Sequence, residues 1–324
     1  MTDEPPHPRE VFDYAGGLAA EAEFLSALDR GRLHHAWLLT GPEGGGKATF
    51  AYRAARRLLG AKPARGEGSL DSNPDDPVSR QIIARANPDL MVLQRDPEDG
   101  KTRKGIPVDE ARNLPEFFSK SPARAAYRVA IIDAADDLNV NAANAVLKTL
   151  EEPPSRGVLL LVTHAPGGLL ATLRSRCRRL RIDPPAPDAA RTWVMEKAGV
   201  GEDDARRLLD MARGAPGRAW RLAREGAIAL DTLAASTVAK LPAADDAVML
   251  ALAESFRSAA GQDRFGLFFD RLADHIHALA VQRGSAGLAR VWTDLIELPR
   301  HAEAVNLDRA DVLFTALSRL RVAA

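Results

Sequence analysis

The sequence predicts an α/β domain followed by two all-α segments, and three observations carry that expectation. First, short apolar runs bounded by turn residues recur through the first half, at residues 36–40, 90–93, 129–132, 158–162 and, more weakly, 180–182. Runs of this length and composition read as buried strands. Second, helical patterns lie between them, at 48–59 after the first run and 142–150 after the third. That alternation belongs to a parallel sheet with helices on its faces. Third, from Asp183-Pro-Pro-Ala-Pro187 onward strand-like runs vanish and amphipathic helical ones replace them. We therefore expect an α/β domain over 1–183, a small helical domain over 184–224 interrupted at Gly214 to Gly217, and a helical domain over 225–324. Helices of that last domain are expected to be separated by Gly261, Gly284, Gly287 and Pro299.

Composition narrows the function classes. The 324 residues are 46% hydrophobic and 27% charged, and 44 basic side chains balance 44 acidic ones. No global positive field draws such a chain onto nucleic acid or an anionic membrane, so binding of that kind must be local. A single cysteine, Cys177, excludes an internal disulfide framework and a multi-cysteine metal cage. It suits a reducing compartment, and a cytoplasmic location is expected. Residues 1–10 are proline-rich and acidic, unlike a signal peptide, and no apolar run approaches the ~20 residues that span a bilayer. Residues 62–77, rich in Pro, Gly, Ser and Asp, have a disorder-like composition.

After the first predicted strand comes Gly41-Pro-Glu-Gly44-Gly45-Gly46-Lys47-Ala48-Thr49, with the GxxxxGK spacing of a phosphate-binding loop set between a strand and a helix. Successive amides in such a loop turn inward to form an anion nest, the helix N-terminus adds its positive dipole end, and Lys47 can bridge the outer phosphates. The next side chain ordinarily supplies a hydroxyl to magnesium, and Ala48 has none. Thr49 does not replace it, because one step along an α-helix turns the side chain by about 100°. A glycine-rich turn without a ligand is the plain alternative. The loop keeps what it takes to hold ATP or ADP and its occupancy stays open, but efficient hydrolysis is not expected.

Tyr127-Arg-Val-Ala-Ile-Ile-Asp133 is an apolar strand ending in a carboxylate, where a phosphate-loop NTPase holds its metal-directing Asp. In one large class of active enzymes the following residue is Glu, which orients the attacking water; here the run is Asp133-Ala134-Ala135-Asp136. Loss of a positioned base costs about 10² to 10⁴ in rate. Asp136 or Asp137 could compensate, although a solvated helix entry accounts for both more simply.

Together, residues 41–49, residues 127–133, Asn144-Ala-Val-Leu-Lys-Thr-Leu-Glu-Glu-Pro-Pro154, Leu160-Leu-Val-Thr163 and Leu173-Arg-Ser-Arg-Cys177 resemble the AAA+ clamp-loader subunits of bacterial DNA polymerase III. Leu33-His-His-Ala-Trp-Leu-Leu39, Ile106-Pro-Val-Asp-Glu-Ala-Arg112 and Gly214-Ala-Pro-Gly-Arg218 resemble the same family, so the likeness extends over most of the chain. Its most specific string is Leu-Lys-Thr-Leu-Glu-Glu-Pro-Pro. The resemblance implies an AAA+ phosphate-loop domain with a parallel sheet, a small helical lid domain and a C-terminal helical collar domain. It implies a hetero-oligomer whose other members are the gamma/tau and delta subunits, and which engages the sliding clamp and primer-template DNA, with no membrane partner. The family includes a motor that hydrolyses ATP and a subunit whose nucleotide site is degenerate; Ala48 and Ala134 fit the second. Motor subunits usually carry a four-cysteine zinc module between the phosphate loop and the second strand. Residues 62–88 hold neither Cys nor His, so no zinc is expected.

By the same resemblance the phosphate-loop residues Gly41, Gly44, Gly45, Gly46, Lys47, Ala48 and Thr49, together with Asp133, line the nucleotide site. Thr163 is the sensor of the outer phosphate and Arg218 the sensor of the second domain. Arg176, within Ser175-Arg176-Cys177, is an arginine finger directed at the ATP of a neighbouring subunit, and a planar, permanently charged guanidinium suits that task. A strand-capping threonine is the plain reading of Thr163. Arg178, Arg179 and Arg181 read as solvated charges, and Cys177 as a packing residue rather than a nucleophile. Three rivals are weighed. An active AAA+ motor is disfavoured by Ala48 and Ala134. A phosphate-loop kinase would need arginine-bearing lid segments, and a direct DNA-binding module a basic face.

Overall fold

The structure, a computed structural model, describes residues 7–66, 68–95, 97–98, 101–102, 104–305 and 307–323. Residues 1–6 of the proline-rich opening stretch lie outside the described residues. The chain forms two compact units, one comprising 1–205 with 209–219 and the other 206–208 with 220–324.

A five-stranded parallel sheet organises the first unit, in the order β2-β5-β6-β1-β7. Its strands are β1 (Ala36–Thr40), β2 (Leu90–Gln94), β5 (Arg128–Asp133), β6 (Gly157–Val162) and β7 (Arg178–Arg181), while β3 (Pro97–Glu98) and β4 (Lys101–Thr102) pair with each other. Four of the five predicted apolar runs fall wholly within a strand, and the weakest, 180–182, overruns β7 by Ile182. The register sets Trp37 opposite Leu160 and Leu38 opposite Leu161, and Ile132 opposite Leu161 on the next strand. Side chains alternate across the pleat, so Trp37 and Leu39 enter one core with Phe24, Phe50 and Leu160. Ala36 and Leu38 enter the other, with Leu114, Val146 and Leu161. Because both faces are covered, the inner strands β1, β5 and β6 carry continuous apolar runs rather than alternating ones.

Helices α1 (Leu18–Asp29) and α2 (Lys47–Leu58) cover the first face. The second is covered by α4 (Val108–Arg112), α5 (Leu114–Ser119) and α6 (Val140–Glu151). Asn139 caps α6 by accepting from the Ala142 amide at 2.9 Å. Asp76 caps α3 (Pro77–Ile83), whose proline takes the first turn, where no intrahelical amide bond is lost. The disorder-like reading of 62–77 is corrected by three buried contacts. Leu70 is buried, its amide donates to Glu21 at 2.7 Å, and Asp71 shares the buried Arg53 guanidinium with Glu21. Composition alone did not reveal that one leucine and one carboxylate would pin the segment. Short helices α7 (Ala171–Arg174), α8 (Pro187–Ala198), α9 (Glu202–Met211) and α10 (Pro216–Arg224) follow.

The second unit is helical: α11 (Ala227–Lys240), α12 (Asp246–Glu254), α13 (Ala259–Arg283), α14 (Ala286–Ala304) and α15 (Arg309–Ala323). Phe256, Phe265, Phe268, Phe269, Leu313 and Leu317 form its core. Of the four expected helix separators only Gly284 ends a helix, in the left-handed conformation at φ 61°. Gly261 and Gly287 lie in first turns, where a helix tolerates poor formers, and Pro299 is inside α14, whose apolar face outweighs the lost hydrogen bond.

Candidate nucleotide site and arginine finger

The phosphate loop leaves the carboxyl end of β1, the edge of a parallel sheet at which α/β folds bind ligands. Gly46 precedes α2 at φ 92°, and a side chain there would collide with the Tyr14 ring; the Tyr14 hydroxyl donates to the Gly45 carbonyl at 2.7 Å. Gly44, at φ 71°, meets the backbone of Arg218 so closely that a Cβ would lie 2.2 Å from the Arg218 nitrogen. The Gly217 amide donates to the Gly44 carbonyl at 3.0 Å, tying the start of α10 to the loop. Lys47 is buried, and its ammonium donates to the carbonyls of Gly41 at 2.9 Å and Pro42 at 2.8 Å. Burial pushes its pKa down to about 8, against the opposing pull of Glu43, Asp133 and Asp136. Ala48 presents only a methyl group, and Thr49 is buried.

Asp133 ends β5, where burial raises its pKa to about 6 even though the Lys47 charge works the other way. Ala134 follows it, so no carboxylate stands in the water-orienting position. Asp136 and Asp137 are both committed elsewhere, which corrects the reading of a merely solvated helix entry. Asp136 accepts from the Thr163 hydroxyl at 2.9 Å and from the amides of His164 at 2.8 Å and Ala165 at 3.0 Å. Burial acts to raise the Asp136 pKa, but these donors outweigh it and hold the carboxyl below its ordinary value. Asp137 pairs with Arg95 at 2.7 Å. Thr163 is thus fully buried, with its hydroxyl turned to Asp136.

Arg176 stands apart from that cluster, between α7 and β7. Its guanidinium donates to the Thr172 carbonyl at 3.0 Å and pairs with Glu151 at 3.0 Å, and about a third of the side chain is exposed. The neighbouring arginines are tied locally: Arg178 to Glu23 at 2.7 Å, Arg179 to the Thr40 hydroxyl at 3.4 Å, and Arg181 to Asp183 at 2.7 Å. Burial pushes the Cys177 thiol up to about 12, which removes it as a nucleophile. The structure therefore gathers the loop, Asp133, Thr163 and the backbone of Arg218 at one end of the sheet and leaves Arg176 at its edge. Sequence reasoning missed Tyr14, and it named Asp136 and Glu151 without their partners Thr163 and Arg176. Tyr14 could have been noticed from Gly16-Gly17 beside it, a pair that lets an aromatic ring approach backbone; the other two pairings carried no local signal.

Fold and site together define a parallel-sheet α/β protein with a phosphate-loop sequence, in which alanine stands at position 48 after the loop lysine and at position 134 after the strand-end aspartate. The sequence pattern of the family described as DNA polymerase III, delta subunit, matches residues 19–186, just over half of the chain, and the chain belongs to that family. It is similar to the DNA polymerase III subunit delta' of Pseudomonas aeruginosa, with 33% identity over 70% of this chain and 63% of that one. Against the subunit delta' of Escherichia coli the identity is 34%, over 62% of this chain and 58% of that one. The subunit gamma/tau of Mycobacterium bovis is 33% identical over 61% of this chain but only 33% of its own. The chain thus spans about three fifths of the length of the delta' relatives it matches.

Proposed function

We propose that the chain is the delta' subunit of a clamp-loader complex, a cytoplasmic AAA+ protein that helps place the sliding clamp on primer-template DNA. Its partners in this reading are the gamma/tau and delta subunits. Gly41 to Thr49, Asp133, Thr163 and Arg218 form a nucleotide site that is retained in shape and has lost hydrolysis, while Arg176 acts in trans on a neighbour's ATP. One observation carries the reading: at the site where hydrolysis would occur, the magnesium hydroxyl and the water-orienting carboxylate are both replaced by alanine, and Asp136 and Asp137, which follow, are engaged within the chain. Among the described residues no helix is long and apolar enough to cross a membrane. In the same reading the three functional regions are the AAA+ domain to residue 183, the lid at 184–224 and the collar at 225–324. ATP or ADP can enter the loop only by competing with the contacts that Lys47 makes to Gly41 and Pro42.

Native mass measurement on the purified chain mixed with gamma/tau and delta subunits tests the assignment. A complex containing all three is the expected result. A chain that stays alone and turns over ATP with magnesium would instead be a motor or a separate enzyme.

A further inference from the structure

A second cavity lies at the β2 edge of the first unit, with a volume of about 180 Å³. Leu90 and Val92 give it an apolar wall, Tyr52 and Asn87 a polar one, and Arg9 and Arg85 bring positive charge. None of residues 41–49 lines it, and no Asp or Glu does so among the described residues. Both arginines line that one space, and His7 stands against it, its ring 5.7 Å from that of Tyr52. Burial first, then the charges of Arg9 and Arg85, push its pKa down to about 4.

Arg9 and the Arg56 beneath it keep donors without acceptors. Arg9 Nε is buried without a hydrogen-bond acceptor, and the nearest carboxylate, that of the exposed Glu10, lies 3.5 Å away. Behind it, fully buried Arg56 donates through Nη2 to the Arg9 carbonyl, stacks over the Phe12 ring at 4.0 Å, and leaves Nε and Nη1 without partners. Buried charge is costly unless an opposite charge meets it. A guanidinium fork meets phosphate oxygens in a matched, bidentate geometry.

We propose that this cavity binds a small phosphate-bearing anion, at a site separate from the phosphate loop. Size limits the ligand. A cavity of about 150 Å³ holds benzene, so this one encloses a phosphate group with a few carbons, or pyrophosphate.

Calorimetric titration of the full chain with inorganic phosphate and with inorganic pyrophosphate tests the proposal. The expected result is one saturable event that Arg85→Gln weakens by about tenfold or more, that Arg9→Gln weakens likewise, and that Lys47→Ala leaves unchanged. Arg85 is exposed, so its variant should melt as the parent does. Absence of saturable heat at millimolar anion overturns the proposal. So does binding that survives both arginine changes, or that is lost with Lys47→Ala.

Discussion

The Arg176 guanidinium is held 3.0 Å from the Glu151 carboxylate, and Glu151 belongs to the Leu-Lys-Thr-Leu-Glu-Glu-Pro-Pro run that most specifically marks the family. Two of its donors are engaged, one by Glu151 and one by the Thr172 carbonyl, and both sit at the end that a finger would present to phosphate. In the proposed reading the contact parks the side chain, and a neighbour's phosphate must displace it. Both partners are substantially exposed, so the ion pair is worth at most about 1 kcal/mol. Glu151→Gln is therefore expected to raise the unstimulated ATPase of the assembled complex by no more than about fivefold and to narrow its stimulation by clamp and DNA. A fall in the unstimulated rate would mean that Glu151 orients the finger instead.

The isolated chain should show no steady ATP turnover with magnesium, since Ala48 and Ala134 remove two groups that hydrolysis uses. Any affinity of the loop for ATP or ADP should depend on pH through Lys47. Its pKa is lowered to about 8 from 10.5, so the free protein sheds this proton above pH 8, and binding an anion there requires taking it back. Affinity should fall by up to about tenfold per pH unit above 8. Equilibrium titrations between pH 7 and pH 10, with a flat result, would sink this account of Lys47.

Arg53→Ala should destabilise the first unit by about 3–5 kcal/mol, because removing one member of a buried ion network leaves the others uncompensated. The side chains of Arg53 and Glu21 are 3% and 8% exposed, and Asp71 shares the same guanidinium, its other partner being the exposed Arg65 at 3.4 Å. Urea denaturation reads the change. A shift no larger than that of a surface substitution would show that residues 62–77 are held by Leu70 alone.

Assembly through the helical unit can be tested without cutting it. The apolar residues Phe265, Phe268, Leu313 and Leu317 are core and available to no partner, whereas Val281 on α13 and Ile296 on α14 are 70% and 48% exposed. A Val281→Glu, Ile296→Glu double variant should fold as the parent does and lose incorporation into the complex. Full incorporation would move the assembly surface elsewhere.

The fold was legible because its strands are buried on both faces: residues 36–40, 129–132 and 158–162 announce themselves without any alternation to interpret. The losses at Ala48 and Ala134 were legible for a different reason, being departures from motifs whose neighbours fix the register. What escaped depends on contacts between distant residues. Tyr14 reaches Gly45 across 31 positions, Thr163 reaches Asp136 across 27, and α10 closes on Gly44 from the far end of the unit. No local pattern encodes such pairings. Gly261 misled because position within a helix, rather than residue type, decides whether a poor helix former breaks it, and Pro299 because the packing of α14 outweighs its lost hydrogen bond.

The central claim is that this chain completes a neighbour's catalysis while performing none. Clamp loading by a complex reconstituted with Arg176→Ala tests it most directly, with assembly verified by native mass. A finger is worth about 10³ to 10⁵ at the single site it serves, so loading should slow severely even where other sites in the complex keep firing, and Arg176→Lys should restore little of it because the ammonium lacks the planar fork. A variant complex that assembles and loads clamps at the parent rate would contradict the claim.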